Sequence, residues 1–227
     1  MAKFILFDLD GTLIDGVEDL VFAMNKVLAR QNLAAIDRPA LEAMLGDGVR
    51  MLTRRALAAR NVTLPKDDFE AACDQFLADY KDTDYARTRL YDGVADTLRL
   101  LHQTGWNIGL ASNKPTEPCE RILAKLGIRD LFVTVAGGDA ASVKKPDGGH
   151  LRFALAAMGH NPASGDVAVM VGDHANDVDA ARDAGIAAIA VAFEVEDARA
   201  KSLGADAVLT DFATLPAALA KLTQKAA

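Results

Sequence analysis

Short runs of apolar residues alternate along this chain with longer stretches in which apolar positions recur every three or four residues. The runs "KFILFDL" (3–9), "NIGLAS" (107–112), "VAVMVG" (167–172) and "AAIAVAF" (187–193) read as strands, with "DAVLT" (206–210) a weaker fifth. They are apolar throughout instead of alternating, the pattern of parallel strands covered on both faces. Helical spacing falls at 94–104, 116–126, 148–159, 175–184, 195–203 and 212–222. Gly105, Gly127, Gly159, Gly185 and Gly204 each follow one of these stretches, where a left-handed cap ends a helix. Repeated strand–helix units with short connections predict an α/β fold, a doubly wound parallel sheet forming a Rossmann-like core.

One region breaks that rhythm. Between residues 15 and 88 there is no convincing strand, and helical patterns dominate at 17–31, 39–45, 49–60 and 67–80. The stretch is too long for an ordinary crossover between strands. It predicts a small helical domain over 15–88, inserted after the first strand into an α/β core made of 1–14 and 89–227.

Composition narrows the partners. A chain of 227 residues, 51% hydrophobic and 25% charged, has room for a core domain plus a smaller insert and is too apolar for disorder. Its formal charge of −7 argues against a nucleic-acid partner. No apolar run is long enough for a membrane span, and the first one is broken at Asp8, unlike a signal peptide. Cys73 and Cys119 have neither metal-ligand spacing nor a disulfide pattern, so they read as free thiols and the cytoplasm as the expected compartment.

The chemistry gathers at strand ends, where open parallel sheets bind ligands. Strand 1 ends in Asp8, Asp10, Gly11 and Thr12, and the next core strand in Ser112, Asn113 and Lys114. "SVKKPDGGH" (142–150) brings Lys144 and Lys145 to the same lip, and "GDHANDVDAA" (172–181) adds Asp173 and Asp177. Asp8 and Asp10, two apart in extended chain, would lean into one volume and repel. Converging carboxylates without His or Cys suit Mg²⁺, which shares substrate phosphate oxygens. Lysine and turn amides around Leu9, Gly11 and Asn113 would hold those oxygens. One carboxylate could then attack phosphorus while the other carries a proton.

These residues carry a resemblance. "FDLDGTLID", "ASNKP", "KKP" and "VGDHANDVDAARDAG" are similar, in order, to the four motifs of the haloacid dehalogenase superfamily of aspartyl-phosphate phosphatases, and to its phosphoglycolate phosphatase-like branch. The insert resembles that family's helical cap. The resemblance implies Asp8 as nucleophile and metal ligand, and Asp10 as general acid and base with its backbone carbonyl on the metal. It implies Ser112 and Asn113 as holders of the phosphoryl group, and Lys145 as the neutralising cation. It implies Asp173 as a metal ligand, Asp177 as the acid that completes or orients the metal shell, and Asp15 with a supporting role at most near the cap hinge. Gly16, Gly148 and His174 stand where the family has Ser, Pro and Ser.

The expected activity is Mg²⁺-dependent hydrolysis of a small phosphorylated metabolite, with 2-phosphoglycolate the leading substrate, by a monomer or homodimer. A sugar-phosphate mutase of the same fold, or a non-catalytic phosphate-sensing or partner-binding protein, are the alternatives. Specificity is expected from the cap, at the turn holding Gly46 and Gly48 and at Arg50 in the helix after it.

Overall fold

The structure, a computed structural model, describes residues 2–193 and 197–225. The chain divides into two compact units, Met1–Ile14 with Leu90–Ala227, and Asp15–Arg89.

In the first unit a parallel sheet is built from β1 (Lys3–Phe7), β4 (Trp106–Ala111), β5 (Phe132–Ala136), β6 (Val167–Gly172), β7 (Ala187–Val191) and β8 (Ala207–Leu209). The order is β5-β4-β1-β6-β7-β8, so the first strand lies at the centre. Phe7 is in register with Leu110 on one side and Val171 on the other, which brings the chain segments after three strands to one edge. The helices are α5 (Val94–Gln103), α6 (Thr116–Lys125), α7 (Gly148–Ala157), α8 (Ala175–Ala184), α9 (Asp197–Ser202) and α10 (Leu215–Lys225). Residues 195–196 of the helix expected over 195–203 fall outside the described residues.

Alternate residues of β1 face opposite layers. Phe4 and Leu6 pack with Leu151, Leu155, Val178 and Ala181 of α7 and α8. Phe7 turns the other way, with its ring 5.9 Å from Phe212. Burial on both faces explains why these strands carry no polar alternation. Burying a side chain such as Phe7 or Leu6, both fully enclosed, contributes about 1.5–3 kcal/mol.

One strand of the six-stranded sheet is not among those the sequence predicts. β5, "FVTVA", is the sheet's outer strand next to β4, with Val133 exposed and Thr134 half-buried. An edge strand need not be apolar throughout, so it lacked the signal of the central ones. Strand 1 is also shorter than expected, ending at Phe7 and not Leu9. The Leu9 carbonyl accepts from the amides of Thr12, Leu13 and Ile14, so a tight turn starts there.

The second unit contains α1 (Val17–Arg30), α2 (Arg38–Glu42), α3 (Val49–Ala58) and α4 (Lys66–Asp82). Met24, Val27, Leu28, Leu52, Leu57, Phe76 and Tyr80 fill its core. Asp79, buried on α4, is held by Arg30 and by Lys26 at 3.0 Å. The Arg30 hydrogen bond pulls its carboxyl below the usual range. Short strands β2 (Ile14–Asp15) and β3 (Arg89–Leu90) pair where the chain leaves and re-enters the first unit. No helix among the described residues is long and apolar enough to cross a membrane.

Candidate active site

The backbone of the central strand aims the first acid. The Asp8 amide donates to the Val171 carbonyl at 2.9 Å, extending the pairing with β6 by one residue beyond β1. Its carboxylate emerges at the sheet edge, with Oδ1 at 2.9 Å from Lys145 Nζ. The same ammonium donates to Asp177 Oδ1 at 2.6 Å. Lys145 is buried whereas Lys144 is exposed, so Lys145 is the inward lysine. Burial alone would lower its pKa, but the Asp177 and Asp8 carboxylates overcome that and hold the ammonium above its usual range.

Asp177 is fixed from two directions. Its Oδ2 accepts from the His174 amide at 3.0 Å, and the His174 imidazole accepts from Asn176 N at 3.2 Å, a reciprocal cap at the start of α8. His174 is thus a helix cap here, in place of the serine of the resemblance. Gly172 is required beside it, since a Cβ there would lie 2.5 Å from Asp177 Cβ.

Asp173 accepts from Thr12 Oγ1 at 2.9 Å, tying the turn after β1 to the end of β6. Gly11 makes that approach possible. Its φ is +79°, and a Cβ would stand 2.6 Å from Asp173 Cγ. The Gly11 amide donates to the Ile14 carbonyl at 3.0 Å, so what this glycine supplies is the turn and the space for Asp173.

Asp10 is separated from Asp8 by the turn. The two acids do not share one extended strand, as their spacing suggested, because β1 has ended and Leu9 already closes a turn. Each meets its own lysine, Asp8 with Lys145 and Asp10 with Lys114 at 2.7 Å. Lys114 is the member of this cluster that sequence reasoning left without a role. Its position after a strand was visible, but the acid it meets was not, because Asp10 lies 104 residues away along the chain.

Ser112 is buried at the end of β4, where its amide donates to the Ala136 carbonyl at 3.0 Å. Asn113 Nδ2 donates to the Lys145 carbonyl at 2.9 Å, locking the loop that carries the lysine. His150, fully buried in α7, places Nε2 at 3.1 Å from the Gly137 carbonyl. Burial, then the Lys145 charge, push its imidazole below the ordinary range.

Asp8, Asp173 and Asp177 each offer an oxygen within 4.8 Å of the others. Burial, then the neighbouring Asp177 and Asp8 charges, push Asp173 well above the usual carboxylate range, and burial raises Asp177 despite Lys145. Four carboxylates face two ammonium groups, Lys114 and Lys145, leaving a negative excess. An all-oxygen donor set with that excess fits a hard divalent cation such as Mg²⁺.

Gly46 and Gly48, with φ of +105° and +83°, form the turn before α3, and Arg50 lies in its first turn. The Arg50 guanidinium forks onto Glu70 and lies 5.4 Å from the centroid of Phe69. Asp15 is buried, with Arg38 at 3.2 Å and Arg89 as ion-pair partners. Cys73 and Cys119 are free and buried.

A parallel sheet whose strand edges present this carboxylate–lysine cluster is the architecture of one large group of hydrolases. The sequence profile of the haloacid dehalogenase-like hydrolases matches residues 2–185, and the chain belongs to that family. A phosphoglycolate phosphatase from Agrobacterium fabrum is 35% identical over the whole of this chain and 97% of its own length. The crystal structure of a predicted phosphoglycolate phosphatase from Haemophilus somnus 129pt superposes with a TM-score of 0.85 at 29% identity, covering 96% of this chain and 98% of that one. The structure of CbbY from Rhodobacter sphaeroides in complex with phosphate has a TM-score of 0.74 at 27% identity, covering 95% and 96%.

Proposed function

We propose that this protein is a Mg²⁺-dependent phosphatase that hydrolyses a small phosphorylated metabolite through an aspartyl phosphate on Asp8, with 2-phosphoglycolate as the substrate. The observation that carries the reading is the Asp8 carboxylate beside the Lys145 ammonium, at 2.9 Å, within reach of Asp173 and Asp177. The relatives named for phosphoglycolate support the choice of substrate.

Asp8, Asp173 and Asp177 would hold the cation, together with the Asp10 carbonyl. Bound there, it would neutralise the site's excess charge and supply a Lewis acid for the phosphate oxygens. Asp8 attacks phosphorus, and the bond from phosphorus to the ester oxygen breaks as the Asp10 carboxyl gives that oxygen its proton. Lys145 stabilises the charge that grows on the phosphoryl oxygens, and Ser112 and Asn113 hold the group in line. In the second half, the Asp10 carboxylate takes a proton from water as the water attacks phosphorus. The acyl-phosphate bond breaks and Asp8 leaves as a carboxylate.

The test is phosphate release from a panel of phosphorylated metabolites with Mg²⁺ and with chelator. Turnover should need Mg²⁺ and be greatest on phosphoglycolate. Release that is indifferent to chelation, or phosphate moved between positions of a sugar instead of to water, contradicts the proposal.

A further inference from the structure

The Lys114–Asp10 pair is not explained by the roles above. Lys114 Nζ lies 2.7 Å from Asp10 Oδ2 and 3.0 Å from Oδ1, so both carboxylate oxygens are engaged. The lysine side chain is only 7% exposed and that of Asp10 22%, so the lysine is the more enclosed partner of the pair. Exposed pairs of this kind are worth little, but an enclosed one is stiff and poorly screened.

The lysine is held more firmly than a salt bridge needs. Its carbonyl accepts from the Gly138 amide at 2.9 Å and from Cys119 Sγ at 3.7 Å. Its amide lies 3.4 Å from Ser112 Oγ. The turn that supplies Gly138 closes directly on this segment, since a Cβ at Gly138 would stand 2.5 Å from the Asn113 carbonyl oxygen. His150 Nε2 contacts the Gly137 carbonyl in the same turn, and Asp139 accepts from the Thr116 amide at 2.8 Å. The backbone from 112 to 116 is therefore bonded at both ends and the middle, with a buried ammonium projecting from it onto the Asp10 carboxylate.

We propose that Lys114 is a positioning residue for Asp10: it fixes the carboxyl that serves first the leaving oxygen and then water, while Lys145 serves the nucleophile. This rests on the reading of Asp10 as acid and base. The two lysines divide the work by contact, Lys145 with Asp8 and Asp177, Lys114 with Asp10. An unanchored Asp10 would sample several rotamers, and misplacing a proton-transfer group by about 1 Å can cost about 10²-fold.

The experiment compares Lys114→Met with wild type on three esters: an aryl phosphate with a good leaving group, a neutral alkyl phosphate, and phosphoglycolate. Alkoxide departure needs the proton from Asp10 far more than phenolate departure does. kcat/KM should fall about tenfold to a hundredfold on both alkyl esters and by a smaller factor on the aryl ester. Lys114→Arg should restore part of the loss. In an Asp10→Asn background, Lys114→Met should add nothing further. Equal losses on all three esters, or additive losses with Asp10→Asn, would overturn the proposal. A loss confined to phosphoglycolate would give Lys114 to the substrate carboxylate and overturn it too.

A thermal-unfolding double-mutant cycle on the same two positions reads the pair without any turnover. Non-additive Tm shifts are expected, and additive ones contradict the clamp. If the wild type releases phosphate from no ester, the phosphatase reading fails, and this cycle still decides whether the pair exists.

Discussion

Gly11 shows how one atom sets the geometry of the site. It has a positive φ and abuts the Asp173 carboxyl, so any side chain meets both a strained backbone and an occupied space. Gly11→Ala should cost about 1–3 kcal/mol from the backbone alone. It should also displace Asp173 and so weaken Mg²⁺ activation of turnover. Thermal unfolding and a Mg²⁺ titration of activity check both parts. An unchanged Mg²⁺ requirement in a folded variant would show that Asp173 tolerates the shift. A turn at Gly11 was legible in the "DGT" sequence, but the need for glycine was not, because Asp173 lies far along the chain. The same limit hid the partner of Asp10. Spacing shows that two acids are close in sequence, and only the turn at Leu9 shows that they part company.

The strands and helices were read where their pattern is strongest. α8 occupies the expected 175–184, and β6 the expected 167–172, because a buried apolar run between glycine and aspartate has few other solutions. β5 was missed because an edge strand mixes exposed and buried positions, and α2 stops at Glu42 instead of continuing to 45. At α3, the expectation that Arg50 binds substrate meets the Glu70 fork. Recognition of a carboxylate by Arg50 then requires an exchange of one carboxylate for another. If that exchange occurs, Arg50→Ala should lower kcat/KM on phosphoglycolate about tenfold to a hundredfold and leave a neutral aryl phosphate unaffected. Equal effects on both substrates, or none, would confine Arg50 to its pair with Glu70.

Across the whole molecule the site's charge couples metal binding to stability. Without metal, burial and the neighbouring acids hold Asp173 above its unfolded value of about 3.9. The folded chain then binds more protons than the unfolded one, so stability falls as pH rises from about 4 through the folded titration. Asp79 has the opposite sign: Arg30 depresses it, so its contribution is present above about 4 and lost as pH falls through the folded value. A divalent cation bound to Asp8, Asp173 and Asp177 removes the Asp173 penalty. The rise in Tm on adding Mg²⁺ should therefore grow as pH rises above the unfolded carboxylate value of about 4. A metal-induced rise that is flat or shrinks over that range would contradict the assignment of the carboxylate cluster.

The central claim is that Asp8 is the group that accepts the phosphoryl. Enzyme turning over phosphoglycolate with Mg²⁺ should be quenched in acid, digested and analysed by mass spectrometry. One phosphoryl group should be found on the peptide containing Asp8, absent from Asp8→Asn, a variant that should fold and release no phosphate above background. Sustained turnover by folded Asp8→Asn, or a phosphoryl group on another residue, would contradict the account.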